Sequence, residues 1–323
     1  MTTLDSAAPA SPAVVPAAGR LAVVAVLVTM LLWASTFVVI RVVGEALSPG
    51  PLALLRLAVA AAVLTPFALR LGLRRPRGVR NWALVVAYGA LWMGVYTVVV
   101  NATEIYLDAG TTAMLVNVAP ILVMLWVGLV QRAGFPLPLV LGLLVAFAGV
   151  SIIALGDGAA GGSLVGICLG LVAATLYAAG VLLQKRALAC IDALSATWWG
   201  FVVGTMVLLP FAPDLVREAS VAPATALLGA AYMGVFPSAL AFCLWAFALR
   251  RIDAAQLTVS SYLVPAFAVG LAWLLISEVP TLPALLGGAV SLVGVAISRL
   301  RPRRVPAPQG RTGEEVSPVA AAQ

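Results

Sequence analysis

Apolar residues run along this chain in long stretches, broken at short intervals by a few polar or charged positions. Ten such stretches stand out: Leu21–Val43, Pro51–Leu71, Asn81–Thr103, Ala109–Val130, Pro136–Leu155, Ser163–Arg186, Leu194–Phe211, Ala224–Leu249, Ala255–Ser277 and Thr281–Ser298. None alternates with the period of two that a half-buried strand needs. Each is about the ~20 residues that cross a bilayer as a helix, the one linear structure that satisfies its own backbone in hydrocarbon. The pattern therefore predicts an all-α integral membrane protein of ten transmembrane helices. The narrowest breaks are Glu104–Asp108 and Ile252–Asp253.

The ten stretches fall into two related sets. Pro120 and Pro265 lie 145 positions apart, and the same offset pairs Asp108 with Asp253, Pro138 with Pro283, Gly142 with Gly287 and Gly149 with Gly294. At an offset of 144, Trp33 meets Tyr177, Arg41 meets Lys185, and Leu64, Pro66 and Phe67 meet Leu208, Pro210 and Phe211. A duplicated hydrophobic chain with matched breaks is the sequence pattern of a secondary transporter. Five helices is an odd number, so the second set must enter the membrane the other way up. The expectation is two inverted five-helix repeats: residues 21–155 and 156–300, with residues 1–20 and 301–323 as disordered cytoplasmic ends.

Composition narrows the class further. Of 323 residues, 63% are hydrophobic and 10% charged, against the 45–50% and ~25% usual in soluble domains. Lipid must be the solvent for most of this surface, and the bilayer is the first expected partner. The net charge of +7 is scattered as arginines between apolar runs, so no nucleic-acid partner is expected. Histidine is absent, which excludes Ser-His-Asp and Cys-His catalysis and histidine-ligated zinc. Cys168, Cys190 and Cys243 have no metal-binding spacing. No phosphate-binding loop motif occurs, and no cofactor is expected.

Charge placement orients the chain. With the N-terminus inside, Arg20, Arg70, Arg74, Arg75, Arg77, Arg80, Arg132, Lys185, Arg186, Arg250, Arg251, Arg299, Arg301, Arg303, Arg304 and Arg311 all face the cytoplasm. Only Arg41 and Arg217 face outward, and Arg56 is embedded. Positive-inside asymmetry of this size places both termini in the cytoplasm. The first apolar run is too long for a secretory signal and reads as a retained span.

Candidate chemistry gathers near the matched prolines. Pro120 and Pro265 remove backbone donors, leaving the carbonyls of Val116 and Ser261 in need of partners. They read as a pair of hinges or as static kinks. Asn117 and its counterpart Tyr262 each lie three residues before a proline, beside Ser261, and could hydrogen-bond a solute or bridge helices. Pro237 has no proline partner, its aligned position being Trp92. Tyr88, Trp92 and Tyr96 form one stripe on helix 3. Trp33, Thr36 and Phe37 on helix 1, with Tyr177 and Gln184 on helix 6, could complete an aromatic pocket for an amphipathic or amine-bearing solute; ordinary packing is the alternative. Trp82 and Trp198 fit an interfacial belt. Arg56 would cost ~2.5–3.5 kcal/mol facing lipid at mid-membrane. It is expected to pair with Glu104, to meet an anionic group on the substrate, or to snorkel outward. Gly166/Gly170 and Gly200/Gly204 have a close-packing spacing that leaves the oligomeric state open. Gly156-Asp157-Gly158 reads as a turn.

These motifs resemble the ten-helix EamA type of the drug/metabolite transporter superfamily. The resemblance rests on Leu32-Trp33-Ala34-Ser35-Thr36-Phe37, Leu54-Leu55-Arg56-Leu57, Ala119-Pro120, Val264-Pro265 and Ala246-Phe247-Ala248-Leu249-Arg250-Arg251-Ile252, and covers about residues 21–299. It implies a multi-pass protein of the inner (plasma) membrane that exports amino acids, other small metabolites or drugs through a cavity between the repeats. Two departures stand out. The acidic residue that often follows helix 4 is Ala133 here, although Glu278 occupies the matching place in the second repeat, and helix 1 lacks the glutamate that small multidrug-resistance relatives use for proton coupling. Without the resemblance, a membrane-embedded lipid-modifying enzyme or a non-transporting scaffold are the other classes. The enzyme would need clustered acid, histidine or metal ligands at one face, and none is apparent.

Overall fold

The computed structural model describes residues 17–130, 137–158, 164–249, 260–261 and 263–298. Among them every regular element is helical, and ten helical segments follow one another. They are α1 (Ala17–Val43), α2 (Pro49–Arg70), α3 (Val79–Tyr88, Gly89–Tyr96, Thr97–Thr103), α4 (Ala109–Val116, Ala119–Val130) and α5 (Leu137–Gly158). Then come α6 (Leu164–Ala187), α7 (Ala193–Leu208, Leu209–Phe211, Ala212–Val221), α8 (Ala224–Met233, Gly234–Leu240, Ala241–Leu249), α9 (Leu263–Ile276) and α10 (Leu282–Ser298). Six are long and apolar enough to cross a membrane: those containing Leu21–Val43, Pro49–Arg70, Val79–Thr103, Leu164–Ala187, Ala193–Val221 and Ala224–Trp245. The remaining four contain shorter apolar helices.

Local chemistry sets the helix ends. Asp108 caps α4 by accepting from Thr111 N at 2.8 Å, and Asp192 caps α7 by accepting from Ser195 N at 3.0 Å. Each satisfies a donor that the first helical turn leaves open. Pro49 and Pro51 open α2, where a missing N–H is harmless. At the end of α9, Ser277 takes a left-handed conformation (φ 54°) and Glu278 N donates to Ala272 O at 3.2 Å. This is the reversal usually given to glycine, and it aims Glu278 back over the bundle.

Two expectations about helix ends need correction. The turn read at Gly156-Asp157-Gly158 is absent, because α5 stays helical through Gly158. Nor does the seventh helix stop at Phe211. It passes through a 3₁₀ turn at Leu209–Phe211, opened by Pro210, and continues as Ala212–Val221, which buries none of its residues. There Glu218 accepts from Ser48 N (2.8 Å) and Ser48 Oγ (2.7 Å), covering the start of α2.

α1 runs through the middle, packing on α4, α8 and α9. Met30, Ala34, Phe37 and Ile40 on α1 join Ala109 and Ala113 on α4, Ala248 on α8 and Ala268 and Ala272 on α9 in the largest apolar cluster. A second cluster joins Leu57 and Leu64 of α2, Tyr88 and Trp92 of α3, Phe201 of α7 and Phe242 of α8.

Close approaches recur in matched places. A Cβ on Gly149 of α5 would collide with Gly287 O and Ser291 of α10, and one on Gly294 of α10 would collide with Gly142 O and Ala146 of α5. Gly149 and Gly142 are the 145-offset counterparts of Gly294 and Gly287, so the contact is reciprocal. Ser291 Oγ donates to Ala146 O at 3.2 Å, again between counterparts. In the same way Gly89 of α3 lies against Gly200 O and Val203 of α7, while Gly234 of α8 lies against Arg56 O and Val59 of α2. Both of these glycines begin a π-helical stretch, Gly89–Tyr96 and Gly234–Leu240.

Candidate functional site: a buried aromatic cavity

A cavity of about 80 Å³ lies between α1, α2, α3, α4, α6, α7, α8 and α9. Its wall contains Trp33, Thr36 and Phe37 of α1, Arg56 of α2, Trp92 and Tyr96 of α3, Asn117 in the break of α4, Tyr177 of α6 and Ser261 before α9. The structure thus brings most of the sequence candidates to one place. It also adds Ile40, Leu57, Met93, Thr97, Val100, Val116, Phe201, Ser238, Phe242 and Val264. Tyr88 and Gln184 are buried outside the cavity wall, where Gln184 Nε2 donates to the Tyr88 hydroxyl at 3.4 Å. Tyr262 and the side chain of Pro120 lie outside the described residues. Pro265 is buried in α9 and does not line the cavity.

The two π-helical stretches shape the wall. A π turn inserts one residue into the helix and frees backbone groups, and such turns favour functional places. In α8 the carbonyl of Pro237 accepts from Trp33 Nε1 at 3.1 Å, and the next residue, Ser238, accepts from Arg56 Nε through its hydroxyl at 2.9 Å. One break therefore fixes two cavity side chains on two other helices. In α3 the break carries Trp92 and Tyr96 themselves. Gly180 on α6 makes the space for Trp92, because any Cβ there would meet the indole.

The aromatic rings form a connected set. Trp92 is edge-on to Tyr177 (5.4 Å) and Phe242 (5.8 Å), Tyr96 is 5.9 Å from Tyr177, and Trp33 is 5.6 Å from Phe242 and 5.1 Å from Trp245. These tilted and edge-on arrangements favour the ring quadrupoles. Phe242 also lines a second, apolar cavity of about 610 Å³ between α2, α7 and α8, reaching Leu71 and Ala193 at the far ends of those helices.

Arg56 corrects the sequence reading. The expected pair with Glu104 is not formed: Arg56 bonds Ser238, and among the described residues no carboxylate pairs with it. Glu104 lies instead at the end of α3, beside Arg41. A similar depth along two helices did not put the two groups on facing sides. The carbonyl of Ser261, expected to be freed by Pro265, accepts from Val264 N at 3.1 Å. Asn117 ends the first part of α4 and turns its amide back onto Ala113 O at 2.9 Å. Ser238 and Phe242 escaped the sequence reading because Pro237 has no proline counterpart. The signal was present in Gly89 and Gly234, which keep the 145 offset.

A multi-pass helical membrane protein with a polar and aromatic cavity among its helices has the build of a transporter. Residues 20–155 and 164–300 each match the EamA-like transporter family, and the chain belongs to that family, within the drug/metabolite transporter superfamily. It is 34% identical over 280 residues to a protein of Streptantibioticus cattleyicolor described as a probable terminal-alkyne amino-acid exporter, covering 87% of this chain and 94% of that one. It is 33% identical over 273 residues to the uncharacterised transporter YdfC of Bacillus subtilis, covering 84% and 88%. A solved crystal structure shares the fold with a TM-score of 0.61 at 19% identity, over 86% of this chain and 97% of that one.

Proposed function

We propose that the protein exports amino acids, or closely related small amphipathic solutes, across the cell membrane by alternating access. The observation that carries this reading is Arg56. It is a guanidinium inside a helical bundle, steadied by a neutral hydroxyl, facing a cavity walled by Trp33, Trp92, Tyr96 and Tyr177. A substrate carboxylate is the natural counter-charge, through charge-assisted bonds. The rings suit an ammonium or an apolar side chain. Thr36, Asn117 and Ser261 supply polar contacts around it. The amino-acid exporter of Streptantibioticus cattleyicolor supports the substrate class and the direction.

Alternating access rests on two inverted halves, residues 21–155 and 156–300. The reciprocal contacts of Gly149 with Gly287 and Gly294 with Gly142, and of Gly89 with α7 and Gly234 with α2, support a pseudo-two-fold axis between them. In that scheme Pro120 and Pro265 are hinges beside the cavity. The charge asymmetry puts both termini in the cytoplasm and the Arg41 end of the bundle outside.

Counterflow of radiolabelled amino acids into proteoliposomes loaded with the same amino acid tests the reading. Uptake above that of protein-free liposomes is expected, with competition from free amino acids and none from their amides. Loss of a hydrogen-bonded charge contact of ~1.5–3 kcal/mol predicts a drop of about ten- to a hundred-fold in apparent affinity for Arg56→Ala. Absence of counterflow, or equal competition by amides, refutes the carboxylate role of Arg56.

A further inference from the structure

Among the described residues, one buried acidic side chain at the Arg41 end lacks a hydrogen-bond partner. Glu104 ends α3 with 3% of its surface exposed, and among the described residues neither carboxyl oxygen has a hydrogen-bond partner. Native folds keep few such groups, and each asks for a reason. Beside it Arg41 of α1 donates through Nε to Glu278 Oε1 (2.9 Å) and through Nη1 to the main-chain oxygen of Glu104 (2.8 Å). Glu278 also accepts from Ala109 N at 3.4 Å. One guanidinium and one carboxylate thus tie together α1, the end of α3, the start of α4 and the turn after α9. This is a latch between first-half and second-half elements.

Glu104 is also joined to the cavity. Thr97, Asn101 and Glu104 follow at spacings of four and three, so they share one face of α3. Thr97 lines the cavity. Asn101 donates to Pro49 O at 3.1 Å but leaves its own side-chain oxygen, buried, without a partner. A polar stripe with unsatisfied oxygens in consecutive turns therefore leads from the cavity wall to the latch. The charged and titratable groups facing Glu104 are Arg41 from α1, Asp108 from the turn before α4, Glu278 from the turn after α9 and Tyr96 on its own helix. Asp108 is held by its cap to Thr111, and Glu278 by Arg41. The neighbouring turns of α2 and α6 carry no charged residue.

We propose that Glu104 is a proton-binding site of the transport cycle, and that its charge decides whether the Arg41–Glu278 latch is closed. With the proton on a carboxyl oxygen, Glu104 is neutral and Arg41 stays on Glu278. When the proton leaves to water, the carboxylate draws Arg41, which already holds the carbonyl of the same residue, and Glu278 is released. No other bond is made or broken. The proposal rests on the transporter reading above, in which the Arg41 end faces outward.

Burial raises the Glu104 carboxyl well above the usual carboxylate range; Glu278 and then Asp108 add to this, and Arg41 opposes it. The closed form therefore keeps its proton at pH values where an open, hydrated carboxyl has lost it. Acid favours closure. That preference is fully present below the ordinary carboxylate range and is lost as pH rises through the raised value.

The test uses full-length protein in proteoliposomes with Cys168, Cys190 and Cys243 replaced by serine. Val100→Cys is placed in the cavity wall, and a membrane-impermeant maleimide is added at the Arg41 face. Val221→Cys, exposed at the same end, corrects for the intrinsic pH dependence of the thiol. Corrected labelling of Val100→Cys should rise severalfold from acid to mildly alkaline pH, as the raised carboxyl loses its proton and the latch opens. With Glu104→Gln it should stay low at every pH, and with Glu278→Gln it should already be high in acid. A flat profile in the parent, the parent's profile in Glu104→Gln, or a closed Glu278→Gln in acid would each overturn the proposal. Amino-acid counterflow measured on the parent liposomes separates the two readings. Counterflow with a flat profile removes only the proton site; a pH-dependent profile without counterflow removes only the amino-acid assignment.

Discussion

The π-helical breaks of α3 and α8 are built alike and furnished differently. Each starts at a glycine pressed onto a neighbouring helix, Gly89 on α7 and Gly234 on α2. The break in α8 contains Pro237, whereas the aligned residue in α3 is Trp92. The same distortion forms with and without a proline, so proline is not its cause. What the breaks share is a backbone approach that no side chain permits, and a helix that takes up one extra residue to keep it. What differs is the use made of the freed space. α3 turns two aromatic rings inward. α8 offers a carbonyl to Trp33 and a hydroxyl to Arg56.

The strongest way to break this likeness is to fill the glycines. Gly89→Val and Gly234→Val should each destabilise the protein by about 3 kcal/mol or more, because a valine Cβ and a backbone oxygen, not flexible side-chain ends, block the new atoms. Unfolding midpoints in detergent check this, and an effect confined to one half would show that the two breaks are not equivalent. Ser238→Ala touches only the α8 side. Leaving the part-buried Arg56 Nε donor unsatisfied costs up to about 1–3 kcal/mol. Transport affinity should fall with stability, while changes at the corresponding wall of α3, such as Trp92→Phe, should keep the Arg56 contact. Trp33→Phe removes the N–H held by the Pro237 carbonyl and should cost about 0.5–1.5 kcal/mol. Pro237→Ala should change stability by less than about 1 kcal/mol and leave the break in place. A regular α-helix in that variant would restore proline as the cause. Smallest of all, Ser277→Gly should add about 0.5–1 kcal/mol, because glycine takes the left-handed conformation without steric strain.

Much of this architecture was legible because lipid imposes blunt rules. Apolar runs such as Ser163–Arg186 could only be helices, and the paired glycines and prolines of the two halves exposed the repeat. Cavity residues on periodic stripes, such as Trp92 and Tyr96, or in quoted motifs, such as Trp33 and Arg56, were found as well. Ser238 and Phe242 were not, since a π turn shifts the register of every residue after it and its sequence mark, the matched Gly89 and Gly234, was not read. The choice of prolines as landmarks favoured Pro120 and Pro265 and passed over Pro237, whose counterpart looked unrelated. The Arg56–Glu104 pair failed for a related reason. Sequence gives depth along a helix well, but the direction of a side chain around a distorted helix poorly. The α7 extension was hidden because Ala212–Val221 is amphipathic and lies beyond the apolar run.

The seam between α5 and α10 has a consequence of its own. Each of its glycines meets the counterpart of a residue on its own helix, and Ser291 bonds the counterpart of its own position. Two identical chains make such contacts when they pair face to face. A side chain placed at Gly149 and one placed at its counterpart Gly294 would therefore meet the same obstacle, the main chain of the opposite helix.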